Sequence, residues 1–187
     1  MSRTLCGAII VAAAGAGAAP AHAEGVSFDL TLIDIASWDE IGESPNTVLT
    51  VDVAALAGFG SGQSVFLTGL GYDLVLETFG FSWLSEAQIA FEAPDAPGGG
   101  FAIQPGVGDD MAGTEPYQQD LAKLLPEDVL FLSNGLLRIE FFEEFDDEPN
   151  VIDSEWNGTL TLQVDIPAPG AGGLLLIGFA GAVRRRR

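Results

Sequence analysis

The chain has 187 residues, 27 of them acidic and seven basic, for a net charge of −20, with one Cys and one His. That length allows one domain with a substantial core, while the acidity excludes nucleic acid and anionic lipid surfaces as partners, because both would repel it. A single cysteine also excludes an internal disulfide framework, so stability must come from burial.

Residues 1–23 read as a secretory signal peptide. Arg3 supplies a positive start, residues 5–19 are apolar and rich in Ala and Gly, and Ala21-His22-Ala23 puts small residues where signal peptidase cuts. Cys6 precedes most of the apolar region, which argues against a lipoprotein anchor. Cleavage after Ala23 would remove the one Cys and the one His. The next segment, 24–165, contains every acidic residue but only Lys123 and Arg138 as strong bases, so 27 negative charges face two positive ones and its net charge is −25.

The pattern along this segment is β. Phe28, Leu30 and Leu32 alternate with Asp29 and Thr31, as in a half-buried strand. Ser44-Pro45-Asn46 has turn chemistry, after which Leu49, Val51 and Val53 alternate with Thr50 and Asp52. Residues 58–62 form a glycine-rich loop. Two strands are expected at 65–68 and 72–78, and another within 81–92, where Ala87, Ile89 and Phe91 alternate. From 93 to 113 the Gly, Pro and Ala content predicts long loops around a short strand at 101–103. Residues 117–125 are the one helical candidate, with Leu121, Leu124 and Leu125 at helical spacing before Pro126. A hairpin is predicted at 129–142 around Asn134-Gly135, its second strand burying Leu137, Ile139 and Phe141. Asn157-Gly158-Thr159 matches a glycosylation sequon, and reads equally well as an Asn-Gly turn entering the last strand. That strand, 159–166, turns Leu160, Leu162, Val164 and Ile166 inward. About nine strands with short turns predict an all-β fold, a jelly-roll-like β-sandwich.

The chemistry is bounded by residue types. Without its leader the chain has no His or Cys, hence no usual general base near neutral pH, no thiol nucleophile and no ordinary zinc site. Ser61, in its glycine loop, has no histidine to activate it. Catalysis is therefore not expected; a carboxylate-based hydrolase would need two acids facing each other across a cleft. Two acidic clusters are candidate calcium sites, because calcium takes six to eight hard oxygens from carboxylates and loop carbonyls. One comprises Glu143, Glu144, Asp146 and Asp147; the other comprises Asp109 and Asp110 in a Gly-rich loop. Solvated loop charge is the alternative reading of each. Trp38, Trp83 and Trp156 would favour carbohydrate binding if they converged on one exposed face, and core packing if buried.

Residues 166–187 hold three parts in order: Pro167-Ala168-Pro169, an apolar run from Gly170 to Val183, and Arg184, Arg185, Arg186 and Arg187. The run has 14 residues without a charge, short of the ~20 that span a bilayer comfortably. In lipid it would be helical, and the arginines would stay cytoplasmic, leaving the body outside. This arrangement resembles the PEP-CTERM sorting signal, which exosortase-type transpeptidases recognise in exported bacterial proteins. The usual motif of that family has Glu between its prolines, where this chain has Ala168. The phrases SWDEIG, SWLSEA and FFEEFDD also resemble the bodies of such cargo, and the final third resembles the end of P-domain-like jelly-roll sandwiches.

The expectation is a signal peptide at 1–23, a β-sandwich domain at 24–165 and a sorting signal at 166–187 with a short apolar helix. The resemblance implies passage through the inner membrane, with signal peptidase and an exosortase-like enzyme as partners, and delivery to the cell surface or extracellular matrix. A non-enzymatic structural or interaction role fits this best; a module binding calcium or carbohydrate, such as exopolysaccharide, is the rival. No other cofactor is implied.

Overall fold

The computed structural model describes residues 10–12, 25–145 and 151–167. Their elements are β1 (Ile10–Ala12), β2 (Val26–Ser37), β3 (Thr47–Asp52), α1 (Val53–Leu56), β4 (Val65–Thr78), β5 (Ala87–Glu92), β6 (Phe101–Ile103), β7 (Thr114–Lys123), β8 (Leu130–Leu132), β9 (Leu136–Glu143) and β10 (Ser154–Asp165). They form two antiparallel sheets. One runs β1-β2-β10-β4-β7, with β8 also on β4; the other runs β3-β9-β5-β6.

This order is that of a jelly roll. Setting β1 and β8 aside, the remaining eight strands pair as a nested hairpin: β5 with β6, β4 with β7, β3 with β9 and β2 with β10. Rolling that long hairpin brings β10 against β4 and β9 against β5, which closes two four-stranded sheets over one core. Inward residues come from the period-2 alternation of each strand: Leu30 and Leu32 on β2, Leu160 and Leu162 on β10, Leu74 and Leu76 on β4, Ile139 and Phe141 on β9. Trp156 is fully buried, its ring centroid 6.0 Å from that of Phe141 across the core. Burying a side chain of this size contributes roughly 1.5–3 kcal/mol.

Four expectations need correction. The helical candidate at 117–125 is instead the end of the edge strand β7, paired to β4 from Gly69 to Glu77, with Leu124 and Leu125 just beyond it. Its leucine spacing coincides with a helix face but buries none: Leu121 and Leu125 are exposed, and Leu124 alone packs against the core. Pro116 sits within β7 without cost to the sheet because the strand is at an edge. The two strands expected at 65–68 and 72–78 are one, β4. Register shifts at Leu70/Tyr72 and Gln163/Val164 reset its alternation, and Gly71 lies so close to Leu121 that an added Cβ would come 2.7 Å from its backbone nitrogen.

The expected hairpin is a corner between sheets. Asn134-Gly135 does turn the chain, but β8 pairs with β4 while β9 lies between β3 and β5. Lastly, Asn157-Gly158 is a β-bulge inside β10, not a turn before it. There the Asn157 side chain accepts the Asp34 N–H at 3.0 Å. Smaller differences are that Val53 starts α1, not a continued strand, and that Ile166 lies beyond β10 and is exposed. The leader expected at 1–23 is described only at Ile10–Ala12, which pairs with Asp29–Thr31 on the outer edge of β2. The apolar helix expected near the C-terminus falls outside the described residues.

Candidate functional site

Strand β9 turns Leu137, Ile139 and Phe141 inward, and the same parity carries Glu143 inward at its end. A carboxylate is thereby driven into the edge of the core, where it is fully buried. The first residue of β10, Ser154, lies opposite Ser37 at the end of β2. Both hydroxyls donate to Glu143 Oε1, at 2.5 Å from Ser37 and 2.7 Å from Ser154, and they also touch each other. Glu143 Oε2 has no hydrogen-bond partner among the described residues. Burial pushes the Glu143 pKa up to about 7; the two hydroxyls oppose that rise, and repulsion from Asp153 and Glu86 adds to it.

The next residue faces the other way. Glu144 lines an open groove of about 250 Å³ with Trp83, Glu86, Gln104, Asp110 and Phe145. Trp83 is 46% exposed and Phe145 57%. The groove is braced from within. The Trp83 backbone N–H donates to Glu86 at 2.8 Å, Ser85 Oγ donates to Asp110 at 2.9 Å, and the Gln104 side-chain amide donates to the Ser85 carbonyl. An aromatic wall flanked by carboxylates and an amide can stack on an apolar ring face and accept hydrogen bonds from hydroxyls.

The two acidic clusters of the sequence are thus regrouped. Glu144 and Asp110, one from each, share the groove, whereas Glu143 is turned away into the core edge. Asp109 accepts the Tyr117 hydroxyl at 2.7 Å, and burial followed by this hydrogen bond raises the Tyr117 pKa. Asp146 and Asp147 lie outside the described residues, as do Ala21, Ala23, Ala168, Pro169, Gly170 and the four arginines. Among the described residues, no group of three or more His, Cys, Asp or Glu is arranged to hold a metal ion. The tryptophans do not converge: Trp156 is core, Trp38 is half-buried, and Trp83 alone lines the groove.

Sequence reasoning missed a clasp on the second sheet. Arg138 donates to Glu92 at 2.9 Å and to Glu140 at 2.6 Å. Glu140, almost fully buried, also accepts the Gly42 N–H at 2.8 Å and so ties the 38–46 loop to β9. The signal was present, since Arg138 is one of the two bases of residues 24–165, against 27 acids.

Pro167, the first residue of the C-terminal motif, comes two residues after Asp165, which is the last paired residue of β10 and lies beside Phe66. No helix among the described residues is long and apolar enough to cross a membrane.

No protein-family model matches the chain, and no curated protein does. Among solved structures it is similar to one of turnip yellow mosaic virus, at 12% identity and a TM-score of 0.25, over 86% of this chain and 93% of that one. So low a score carries no argument, and the jelly-roll assignment rests on strand order.

Proposed function

We propose that this chain is an exported, acidic β-sandwich delivered to the cell surface or matrix by C-terminal sorting, where it acts as a structural or interaction module. The observation that carries this reading is the order Pro167-Ala168-Pro169, apolar run, four arginines, attached without a linker to the final strand of a folded domain. The run is too short to be a comfortable permanent anchor. The arginines hold it in place, since each is worth ~1 kcal/mol beside an anionic cytoplasmic surface. Pulling one through the hydrocarbon centre costs ~2.5–3.5 kcal/mol. An exosortase-like enzyme then has time to act on the motif.

Two variants test this in a host that has such an enzyme. Replacing all four arginines with Ser lets the tail slip across, giving soluble protein with its C-terminus intact. Pro167→Ala with Pro169→Ala leaves the protein membrane-bound and uncut. Processing that proceeds normally in both variants would sink the sorting reading.

A second reading has its own observation. The groove walled by Trp83 and Phe145 fits a sugar ring, with Glu86, Asp110 and Glu144 as acceptors for its hydroxyls. Under it, exopolysaccharide titrated into the protein perturbs tryptophan fluorescence, and Trp83→Ala abolishes the response. An unchanged response in Trp83→Ala removes the groove from consideration.

A further inference from the structure

The two ends of the sandwich differ in charge. Strand register defines them: Asp165, Phe66 and Phe131 lie side by side at the end where the chain leaves, and Ser37, Ser154 and Thr78 at the other. The exit end gathers segments 53–64, 93–100, 124–129 and 133–135, which hold three acids, Asp95, Glu127 and Asp128. The opposite end gathers 38–46, 79–86, 104–113 and, among the described residues, 144–145 and 151–153; these hold eight. Lys123, one of the two bases of 24–165, also lies toward the exit end, opposite Gly69.

Apolar side chains are exposed at both ends, so charge is what distinguishes them. At the exit end Leu125 is 61% exposed, Phe131 50% and Ile166 39%. Phe131 rests on Phe66 with ring centroids 5.1 Å apart, which holds it in a fixed position.

The leash to the tail is short. Gly170, where the apolar run begins, follows Asp165 by five residues, at most about 18 Å of extended chain. The polar layer on each side of a bilayer's hydrocarbon is roughly 5–8 Å thick. A tail seated in lipid therefore keeps the exit end within about 10 Å of the headgroups, close enough to rest on them. Anionic lipid repels the acidic end more strongly than the exit end, within a Debye length of ~10 Å at 0.1 M salt.

We propose that the charge-poor exit end is a contact surface for zwitterionic lipid, with Leu125, Phe131 and Ile166 resting in the headgroup layer beside the anchored tail. The acidic end, with its groove, is then held outward. This rests on the anchored-tail reading above.

The test uses the full chain carrying Cys6→Ser, made in a host without an exosortase-like enzyme so that its tail stays uncut, recovered from the membrane fraction and reconstituted in phosphatidylcholine vesicles. Fluorescent labels are placed at Leu125→Cys, Phe131→Cys or, at the acidic end, Phe81→Cys. Flotation with the vesicles reports the anchor, and quenching reports contact. The proposal expects co-flotation together with a several-fold loss of quenching by a water-soluble quencher at 125 and 131, and none at 81. A label at Ser61→Cys, in an exit-end loop, should also be protected in the parent; the double variant Leu125→Glu/Phe131→Glu with that label should float and melt as the parent does yet be quenched from water. Flotation with full aqueous quenching at 125 and 131 overturns the contact and leaves the anchor standing. Absence from the membrane fraction overturns both. Protection that appears without vesicles and grows with protein concentration assigns the face to a second copy, and also overturns the proposal.

Discussion

Glu143 couples this fold to pH. Its carboxyl titrates near 4.5 when solvated and about 7 when folded. Below about pH 4.5 the group is neutral in both states; between there and about pH 7 the folded protein keeps a proton that the unfolded chain releases. Stability from this group therefore falls as pH rises across that window, by about 3 kcal/mol in all. Glu143→Gln keeps an acceptor for Ser37 and Ser154 and removes the titration. Its melting temperature should be flatter than the parent's from pH 5 to pH 8, and at least equal at pH 8. A variant that shows the parent's slope would place the titration elsewhere. Arg138 is the converse case. Arg138→Ala leaves Glu140 buried without its cation, which costs ~3–5 kcal/mol, and urea unfolding should show the midpoint falling accordingly. Glu143 was legible in the sequence as the next member of the Leu137, Ile139, Phe141 alternation. Grouping Glu143 with Glu144, Asp146 and Asp147 as one acidic cluster hid it, because composition does not say where a strand stops.

At the scale of elements, alternation identified the central strands correctly, since a strand buried on one face must show period 2. It failed where the partner, not the strand, decides the outcome. Strand β7 exposes most of its residues and exists because the edge of β4 offers hydrogen bonds, so its own sequence carried a misleading leucine spacing. The Asn134-Gly135 turn was legible as a turn, but which strands it joins depends on pairings made with segments far away in sequence. Its glycine matters for a reason the sequence does not show. Gly135 has φ 71°, and a Cβ there would lie 2.5 Å from Ala54 Cβ and 2.6 Å from the Gln63 carbonyl. Gly135→Val combines that clash with a backbone conformation that β-branched residues resist, so it should cost about 3 kcal/mol or more. A denaturant midpoint equal to the parent's would mean that α1 is not packed on this corner.

At the scale of the whole molecule, a charge gradient runs along the sandwich, and the tail starts at its less acidic end. The jelly roll brings both termini of its eight-strand hairpin, β2 and β10, side by side, so the entry at Gly25 and the exit at Pro167 share one end. Removal of a leader cut after Ala23 would also free the outer edge of β2, where Ser27, Asp29 and Thr31 present polar side chains that discourage pairing with other chains. None of the groove's assembly from Trp83, Asp110 and Glu144 was legible, because three separate loops contribute to it.

The central claim is that the chain is exported and then cut at its C-terminal motif. The intact mass of the protein recovered from the surface or matrix of the cell that makes it tests this most directly. The account predicts a polypeptide chain that begins at Glu24 and ends within or just after Pro167-Ala168-Pro169, lacking the apolar run and all four arginines. A mass that still includes Arg184 to Arg187, in a cell that has the sorting enzyme, would contradict it.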